Sequence, residues 1–232
     1  QGQAYLHHGS LRYGMNRMTR LAAALLVATF SVSCSRGADA RDLKDYGEAK
    51  ALYADGRFAE AKALLERVVK DAPGFHQAAL LLGKAELFSG DEAAAARRFE
   101  ALAARREGYR EADIWLLRSW LALDRFDDAE KRLQALFEYD QGDPRLFSIA
   151  ASLYLRKGED AKALAYFERA IEYDEDILRD RFEVARLHYR YGQDDRAAEE
   201  LETIAVQAGE GSALRSAAVE LLAGLDRKGT GK

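Results

Sequence analysis

Apolar residues recur every three or four positions along most of this chain, which is the spacing of one face of an α-helix. Two such stretches, Ala78–Phe88 and Glu92–Ala104, flank the short polar segment Ser89–Asp91. The pattern predicts two amphipathic helices joined by a tight turn. A later stretch, Leu214–Leu225, has the same spacing but no second helix after it.

The helix-turn-helix pattern repeats with a period of 34 residues. Each turn carries a glycine or an aspartate, an alanine follows five residues later, and a large apolar residue lies four residues beyond the alanine. The three columns are Gly56, Gly90, Asp124, Gly158 and Gly192; Ala61, Ala95, Ala129, Ala163 and Ala197; and Leu65, Phe99, Leu133, Phe167 and Leu201. Three columns with one period through five copies identify a repeat protein.

Each column predicts a structural role. Glycine suits a left-handed residue at the end of a first helix, and Asp124 is a residue type that this conformation tolerates. The alanines are expected to let the two helices of a unit approach closely, and the Leu/Phe column to fill the space between units. A further small residue recurs in the first helices, with Leu117 in its place in the third unit. The small residues are Ala49, Gly83, Ala151 and Ala185.

This pattern resembles the tetratricopeptide repeat (TPR), most closely at Leu82 and Gly83 with Gly90, Ala95 and Phe99. The resemblance covers residues 42–211 as the units 42–75, 76–109, 110–143, 144–177 and 178–211. It implies an all-α fold, a right-handed superhelix whose first helices line the concave wall. Residues 212–232 are expected to supply a capping helix at Leu214–Leu225 and a disordered tail at Lys228–Lys232, which makes eleven helices in all.

The N-terminal segment has the order of a secretory signal peptide. A basic stretch, Met15–Arg20, precedes the ten apolar residues Leu21–Phe30, and small residues follow. Ten residues span about 15 Å as a helix, too short for a stable transmembrane helix. Residues 1–14 are interpreted as upstream sequence, with translation starting at Met15 or Met18.

The only cysteine, Cys34, stands directly after Ser31, Val32 and Ser33. This arrangement resembles the lipobox of bacterial lipoproteins, which implies cleavage before Cys34, acylation of its thiol and a short tether through residue 41. The alternative is an ordinary signal peptide that is cut nearby, with Cys34 an incidental thiol. Lipidation implies a membrane anchor in the bacterial envelope, with the array in the periplasm or exposed at the cell surface.

Composition narrows the classes of function. Hydrophobic residues make up 48% and charged residues 32% of the chain, enough for both a core and a polar surface. The net charge is −4, and removal of residues 1–33, which carry three arginines and no acid, makes it −7. This balance argues against nonspecific nucleic-acid binding. One cysteine, four histidines and no catalytic motif predict a protein without enzymatic activity, cofactor or metal.

The TPR resemblance places positions 2, 5, 9, 12 and 13 of each unit on the concave wall. These positions hold eight basic residues and one acidic residue, Glu111, although the whole chain is acidic. Position 9 alone would form a basic ladder of Lys50, Lys84, Arg118 and Arg186. The residues predicted to bind a partner are Tyr46, Lys50, Tyr53, Lys84, Phe88, Arg118, Arg156, Phe182, Arg186 and Tyr189.

Two interpretations of this wall stay open, a binding site for an acidic ligand and a merely solvated surface. A carboxylate clamp of the kind some TPR proteins carry is not expected, because the only asparagine, Asn16, lies in the signal peptide. Trp115 is expected to pack between units, with a contribution to binding as the alternative.

Three functions fit the sequence. The first is a membrane-tethered scaffold that binds acidic, extended segments of envelope proteins. The second is an accessory component of an envelope transport system that oligomerises and binds a small or lipidic ligand. The third is a surface-exposed adhesin.

Overall fold

A computed structural model describes residues 37–105, 109–139, 142–174 and 177–229. The predicted signal peptide, the two candidate start methionines and Cys34 lie outside the described residues. The described residues form one compact unit.

The described chain is all-helical, as the periodicity predicts, and its eleven helices are arranged as consecutive packed pairs. In the numbering used below they are α1 Ala40–Ala54, α2 Phe58–Asp71, α3 His76–Phe88, α4 Glu92–Arg105, α5 Arg110–Ala122, α6 Phe126–Tyr139, α7 Pro144–Arg156, α8 Asp160–Tyr173, α9 Leu178–Arg190, α10 Asp194–Gln207 and α11 Ala213–Gly229.

The turn column has the backbone conformation that the sequence predicts. All five of its residues have a positive φ, between 57° at Asp124 and 83° at Gly90. This left-handed conformation ends each first helix, so that the second helix can fold back along it. Asp124 is the only non-glycine residue with positive φ in the described part of the chain.

The alanine column forms the seam between the two helices of each unit. Ala61, Ala95, Ala129, Ala163 and Ala197 are all 0% exposed. In the second unit, a Cβ atom added to Gly83 of α3 would lie 2.6 Å from Cζ of Phe99 on α4. The Leu/Phe column therefore also fills space inside a unit, in addition to its predicted place between units. The Phe99 ring reaches the next unit as well, with its centroid 6.4 Å from that of Trp115.

First helices also contact one another along the array, in the pairs α1/α3, α3/α5, α5/α7 and α9/α11. Among the described residues, no pair of second helices is as close. The array is therefore narrower on the side of the first helices, which identifies that side as the concave wall.

The ends of the array differ from the sequence-based boundaries. Helix α1 begins at Ala40, inside the predicted tether, because Asp39 caps it and exchanges hydrogen bonds with Asp42. Helix α11 extends to Gly229, so the first two residues of the predicted tail, Lys228 and Gly229, are helical. No helix in the described part of the chain has the length and apolar character needed to cross a membrane.

Candidate functional site

The concave groove is the candidate site, and its exposed apolar side chains lie on first helices. Leu43 of α1 is 54% exposed and Phe88 of α3 is 50% exposed. Tyr189 of α9 is also exposed. Two predicted groove positions, Ile114 and Leu121, are buried and belong to the core.

Four aromatic rings from units one to three form a continuous cluster in the groove. The cluster consists of Tyr53, Phe58, Phe88 and Trp115. The Phe88 ring centroid lies 5.2 Å from that of Phe58, 6.0 Å from Tyr53 and 5.9 Å from Trp115. Burial raises the pKa of the Tyr53 hydroxyl, while the charge of Arg118 lowers it slightly. This aromatic cluster offers a partner a large apolar area with defined ring geometry.

Trp115 is the centre of this part of the groove. Its side chain is 9% exposed and packs in the core beside Phe99, as the sequence predicts. Two cations also lie over its ring, with Lys84 Nζ and Arg118 Cζ each 4.6 Å from the ring centroid. Trp115 therefore both packs between units and positions two groove cations through cation–π contacts.

Glu111 is the acidic residue among the predicted groove positions, and it connects three units. Its Oε1 accepts hydrogen bonds from Lys84 Nζ at 2.8 Å and from Trp115 Nε1 at 2.7 Å. Its Oε2 accepts one from Arg145 Nη1 at 3.0 Å. Burial would raise the pKa of the Glu111 carboxyl, but these donors outweigh burial and hold it below its ordinary value. Glu111 is therefore charged at neutral pH and neutralises part of the basic wall.

Arg118 has a different environment. Its side chain is exposed at the surface of the groove. Partial desolvation lowers the pKa of the Arg118 guanidinium, Glu111 opposes the shift, and the charges of Arg145 and Arg179 add to it. The guanidinium remains charged, because arginine does not deprotonate in proteins. The charges of Glu111, Arg145 and Arg179 therefore act on this guanidinium.

Five of the eight groove cations form ion pairs inside the protein. These pairs are Lys84 with Glu111, Arg145 with Asp143 and Glu111, Arg156 with Asp124, Arg186 with Glu183, and Arg190 with Asp160. Lys50, Arg118 and Arg179 have no ion-pair partner among the described residues. The basic ladder predicted from position 9 is thus interrupted by internal carboxylates at Lys84 and Arg186.

Arg156 lies at the edge of the groove. Its guanidinium donates to the carbonyl oxygen of Leu121 and to Asp124 in the turn of unit three. It also lies over the Phe126 ring, 5.2 Å from the centroid. Arg190 forms the corresponding contact one unit later, donating to Asp160 at 2.5 Å. Both arginines tie the end of a first helix to the preceding unit.

The remaining predicted residues lie at the two ends of the groove. At the N-terminal end, Tyr46 packs against Phe75 with ring centroids 4.8 Å apart, and Lys50 Nζ lies 5.9 Å from the Tyr46 centroid. At the other end, an open groove of about 680 Å³ lies between α9 and α11. Phe182, Arg186, Tyr189, Arg190, Ala217, Glu220, Leu221 and Arg227 line it.

The sequence analysis did not identify Asp180. This carboxylate is buried on α9 and accepts a hydrogen bond from the Ser148 hydroxyl of α7. Burial raises the pKa of the Asp180 carboxyl, while Ser148, Arg179 and Arg118 oppose the shift. Asp180 is at position 3 of its unit, outside the positions that the TPR resemblance assigns to the wall, so the repeat pattern alone contained no signal for it.

Metal binding has no structural support in the described part of the chain. No group of three or more histidine, cysteine, aspartate or glutamate side chains there could hold a metal ion. The groove is instead suited to noncovalent binding, because it combines exposed aromatic rings with two guanidinium groups that form no ion pair among the described residues.

Comparison with known proteins supports the repeat assignment. Residues 46–96 and 87–153 match two family models that are both described as tetratricopeptide repeat. No curated protein matches the chain.

Solved structures have the same fold over most of the chain. A thermophilic TPR protein from Thermus thermophilus is 24% identical with a TM-score of 0.69, covering 78% of this chain and 98% of its own. MamA from Desulfovibrio magneticus is 15% identical with a TM-score of 0.59, covering 76% and 100%. PilF from Pseudomonas aeruginosa is 17% identical with a TM-score of 0.63, covering 81% and 87%.

Proposed function

The helical array of this chain is a tetratricopeptide repeat array, and from this premise we propose that the protein is a membrane-anchored scaffold of the bacterial envelope. Its concave groove would bind an acidic, extended segment of a partner protein. Tetratricopeptide repeat proteins generally act as scaffolds without enzymatic activity. The fold thus supports protein binding, and the groove chemistry supports the particular kind of ligand.

The observation that carries the proposal is the combination of exposed aromatic and cationic side chains on one wall. Phe88 and Tyr53 offer apolar area, and Arg118 lies beside them over the Trp115 ring. An extended segment with acidic and apolar residues would use both features. Aromatic and arginine residues are also the residue types that contribute most to protein–protein binding energy.

The anchor is proposed from the sequence around Cys34. A basic segment, ten apolar residues and small residues precede this cysteine, as in bacterial lipoproteins. Acyl chains on its thiol and amino group would hold the array at a membrane surface, since two or more chains give stable anchoring. The alternatives of a transport accessory component and a surface adhesin differ in their oligomeric state and in their exposure to external protease.

The binding proposal is tested by capture of envelope proteins with the full chain as bait. We expect one or a few proteins to bind, and their capture to fall between low and physiological salt because the contacts are partly ionic. Phe88→Glu should abolish capture, because it introduces a negative charge at the centre of the aromatic cluster. The matched control is Tyr139→Glu, which changes an aromatic residue that is 87% exposed on a second helix. Equal capture by the two variants would contradict groove binding.

The anchor is tested by fractionation of cells that produce the Cys34→Ala variant. This variant should move from the membrane fraction to the soluble fraction, and its mass should lack acyl chains. If it stays in the membrane fraction, Cys34 is not the anchor.

A further inference from the structure

A cavity of about 420 Å³ lies between the second helices of units one and two, on the side of the array opposite the concave groove. Val69 of α2 lines one wall, and residues of α4 line the other. Pro73, His76 and Ala79, from the connection into α3 and its first turn, complete the lining. The volume is within the range of about 300–1,000 Å³ that is typical of small-molecule sites.

One face of α4 makes this cavity basic. Arg97, Arg98 and Arg105 all line it, and Arg98 and Arg105 are about two helical turns apart on the same face. The imidazole ring of His76 also lines it. No acidic residue in the described part of the chain is part of the lining. Three arginine side chains therefore share one cavity whose described wall contains no carboxylate.

Arg97 and Arg105 are open to a ligand. Both side chains are exposed and form no ion pair or hydrogen bond with the described residues. The charge of Arg97 does act on Asp91, which directly precedes α4. Asp91 Oδ2, however, accepts a hydrogen bond from Lys62 Nζ at 2.8 Å. Lys62, and not Arg97, therefore neutralises this carboxylate.

Arg98 is held in a fixed orientation. Its Nε and Nη2 atoms donate to the two carboxylate oxygens of Glu86 on α3, at 2.8 Å and 2.6 Å. The Glu86 side chain is only 3% exposed, so this pair ties α4 to α3. A guanidinium has further N–H groups, and those on Nη1 of Arg98 stay available. A donor that is already held in place loses less freedom when it binds a ligand.

The rest of the lining is largely apolar. Ala79 and Leu102 are buried, and Val69 is half-buried. Ala94 and Ala101 of α4 also line the cavity, and their small side chains leave its space open. A ligand that fits this cavity therefore has an anionic group for the arginines and an apolar part for this wall.

The repeat does not require the three arginines. The corresponding positions of unit five hold Glu199, Glu200 and Gln207, and no other unit has basic residues at all three positions. Exposed charges also contribute little to stability. Folding therefore gives no reason for Arg97 and Arg105, whereas ligand binding does.

We propose that this cavity binds the phosphate group of an amphipathic organic phosphate, with the apolar part of the ligand against Val69 and Leu102. Guanidinium groups match phosphate oxygens in bidentate geometry, and one phosphate offers enough oxygens for several arginines. Phospholipids and soluble phosphorylated molecules share this chemistry. The inference goes beyond the scaffold function, because the cavity lies outside the groove that would bind a partner segment.

The probe is phenyl phosphate, and isothermal titration calorimetry measures its binding to the full chain at low salt. We expect saturable binding to one site, weakened by salt because the contacts are ionic. Phenol lacks the phosphate and benzoate replaces it with a carboxylate, so both should bind at least about tenfold more weakly. Inorganic phosphate lacks the apolar part and should also bind more weakly. Equal affinity for any of these three compounds would overturn the proposal.

Charge variants separate the cavity from a diffuse basic surface. Arg97→Gln and Arg105→Gln should each weaken binding of phenyl phosphate about fivefold or more, because a charged hydrogen-bonding partner is lost. The matched control is Arg67→Gln on α2, which removes an exposed arginine that does not line the cavity. It should change the affinity less than about twofold. Equal weakening by Arg67→Gln would overturn the site.

A variant that fills the cavity tests the space without changing the charge. Ala101→Trp places a large side chain at an exposed lining position and should abolish binding. Unchanged thermal unfolding would show that the variant is folded. Phenyl phosphate binding by the folded variant with unchanged affinity would show that the cavity is not the site. Arg98 is not substituted, because its loss would leave the Glu86 carboxylate without its partner.

A comparison of two ligands identifies the source of the phosphate. Dihexanoyl phosphatidate is used below the concentration at which it forms micelles, and its affinity is compared with that of phenyl phosphate. Tighter binding of the phosphatidate, lost in Arg97→Gln and Ala101→Trp, supports the proposal with a phospholipid as the ligand. Tighter binding of phenyl phosphate supports it with a soluble phosphorylated molecule. If neither compound binds, the proposal is wrong, while capture of envelope proteins by the concave groove is unaffected.

Discussion

Units two and three share the three repeat columns, but their helix pairs pack differently. In unit two, Gly83 of α3 leaves room for the Phe99 ring of α4, and the two backbones come close together. In unit three, Leu117 stands where Gly83 stands and faces a core that already contains Leu133. Helices α5 and α6 accordingly approach each other less closely than the pairs in the other units.

The second helix of unit three is held by other contacts. Glu130 of α6 accepts hydrogen bonds from Tyr154 and Lys157 of the next unit, both at 2.8 Å. Phe137 stacks on Phe147 and Tyr166, with ring centroids 5.2 Å and 6.1 Å apart. Beside these rings lies a gap of about 60 Å³. The comparison teaches that a repeat tolerates loss of its small residue when polar and aromatic contacts replace the close seam.

The largest effect is expected at Leu117, which is fully buried. Leu117→Ala should lower the free energy of unfolding by about 2–5 kcal/mol, because Leu133 alone does not fill the space between α5 and α6. Adding Leu133→Phe would recreate the pairing of Ala151 with Phe167 in unit four and should restore at least ~1 kcal/mol. Chemical denaturation measures both values. A double variant no more stable than Leu117→Ala would contradict the packing account.

The alanine seam gives the next test. Ala95→Leu in unit two should cost about 1–3 kcal/mol by overpacking. Ala129→Leu in unit three should also lower the melting temperature, but by less, because its helices are farther apart. Thermal unfolding of the two variants compares them directly. A larger loss for Ala129→Leu would refute the difference between the two units.

Gly83→Ala should have a smaller net effect. The new methyl group would press on Phe99, while the helix would gain about 1 kcal/mol in intrinsic propensity, so we expect a net loss of about 1 kcal/mol. Phe99→Leu in the same chain should convert that loss to a gain relative to Phe99→Leu alone. If Gly83→Ala stabilises the wild-type chain, Phe99 does not require the glycine.

The smallest effect concerns pH. The hydrogen bond from Lys157, and then that from Tyr154, lower the pKa of the Glu130 carboxyl in the folded protein. Its contribution is therefore present above the unfolded pKa of about 4.3 and is lost as the pH falls through the lower folded value. Glu130→Gln should cost less than about 1 kcal/mol at pH 7, and the cost should become smaller as the pH is lowered below the unfolded pKa toward pH 3. An equal loss at both values would show that the carboxylate charge contributes nothing.

The sequence by itself determined the array. The 34-residue period, the positive φ at the turn column and the burial of the alanine column follow from local rules, since each depends on a residue and its near neighbours in one unit. The same rules assigned Leu117 to the core position where the other units carry a small residue. They could not give the distance between α5 and α6, which depends on how two bulky side chains share one space.

The tertiary structure decided which groove cations remain open. Lys84 meets Glu111 across 27 residues, and Arg190 meets Asp160 across 30. Such pairs form because neighbouring units bring together positions that no single helix relates, so position 9 alone predicted a ladder that internal carboxylates interrupt. Arg118 forms no ion pair among the described residues, and the nearby Glu111 carboxylate accepts instead from Lys84, Trp115 and Arg145. The net charge of a sequence is a simple sum over its residues. The charge that a folded groove presents to a ligand depends instead on which oppositely charged side chains the superhelix places beside each cation.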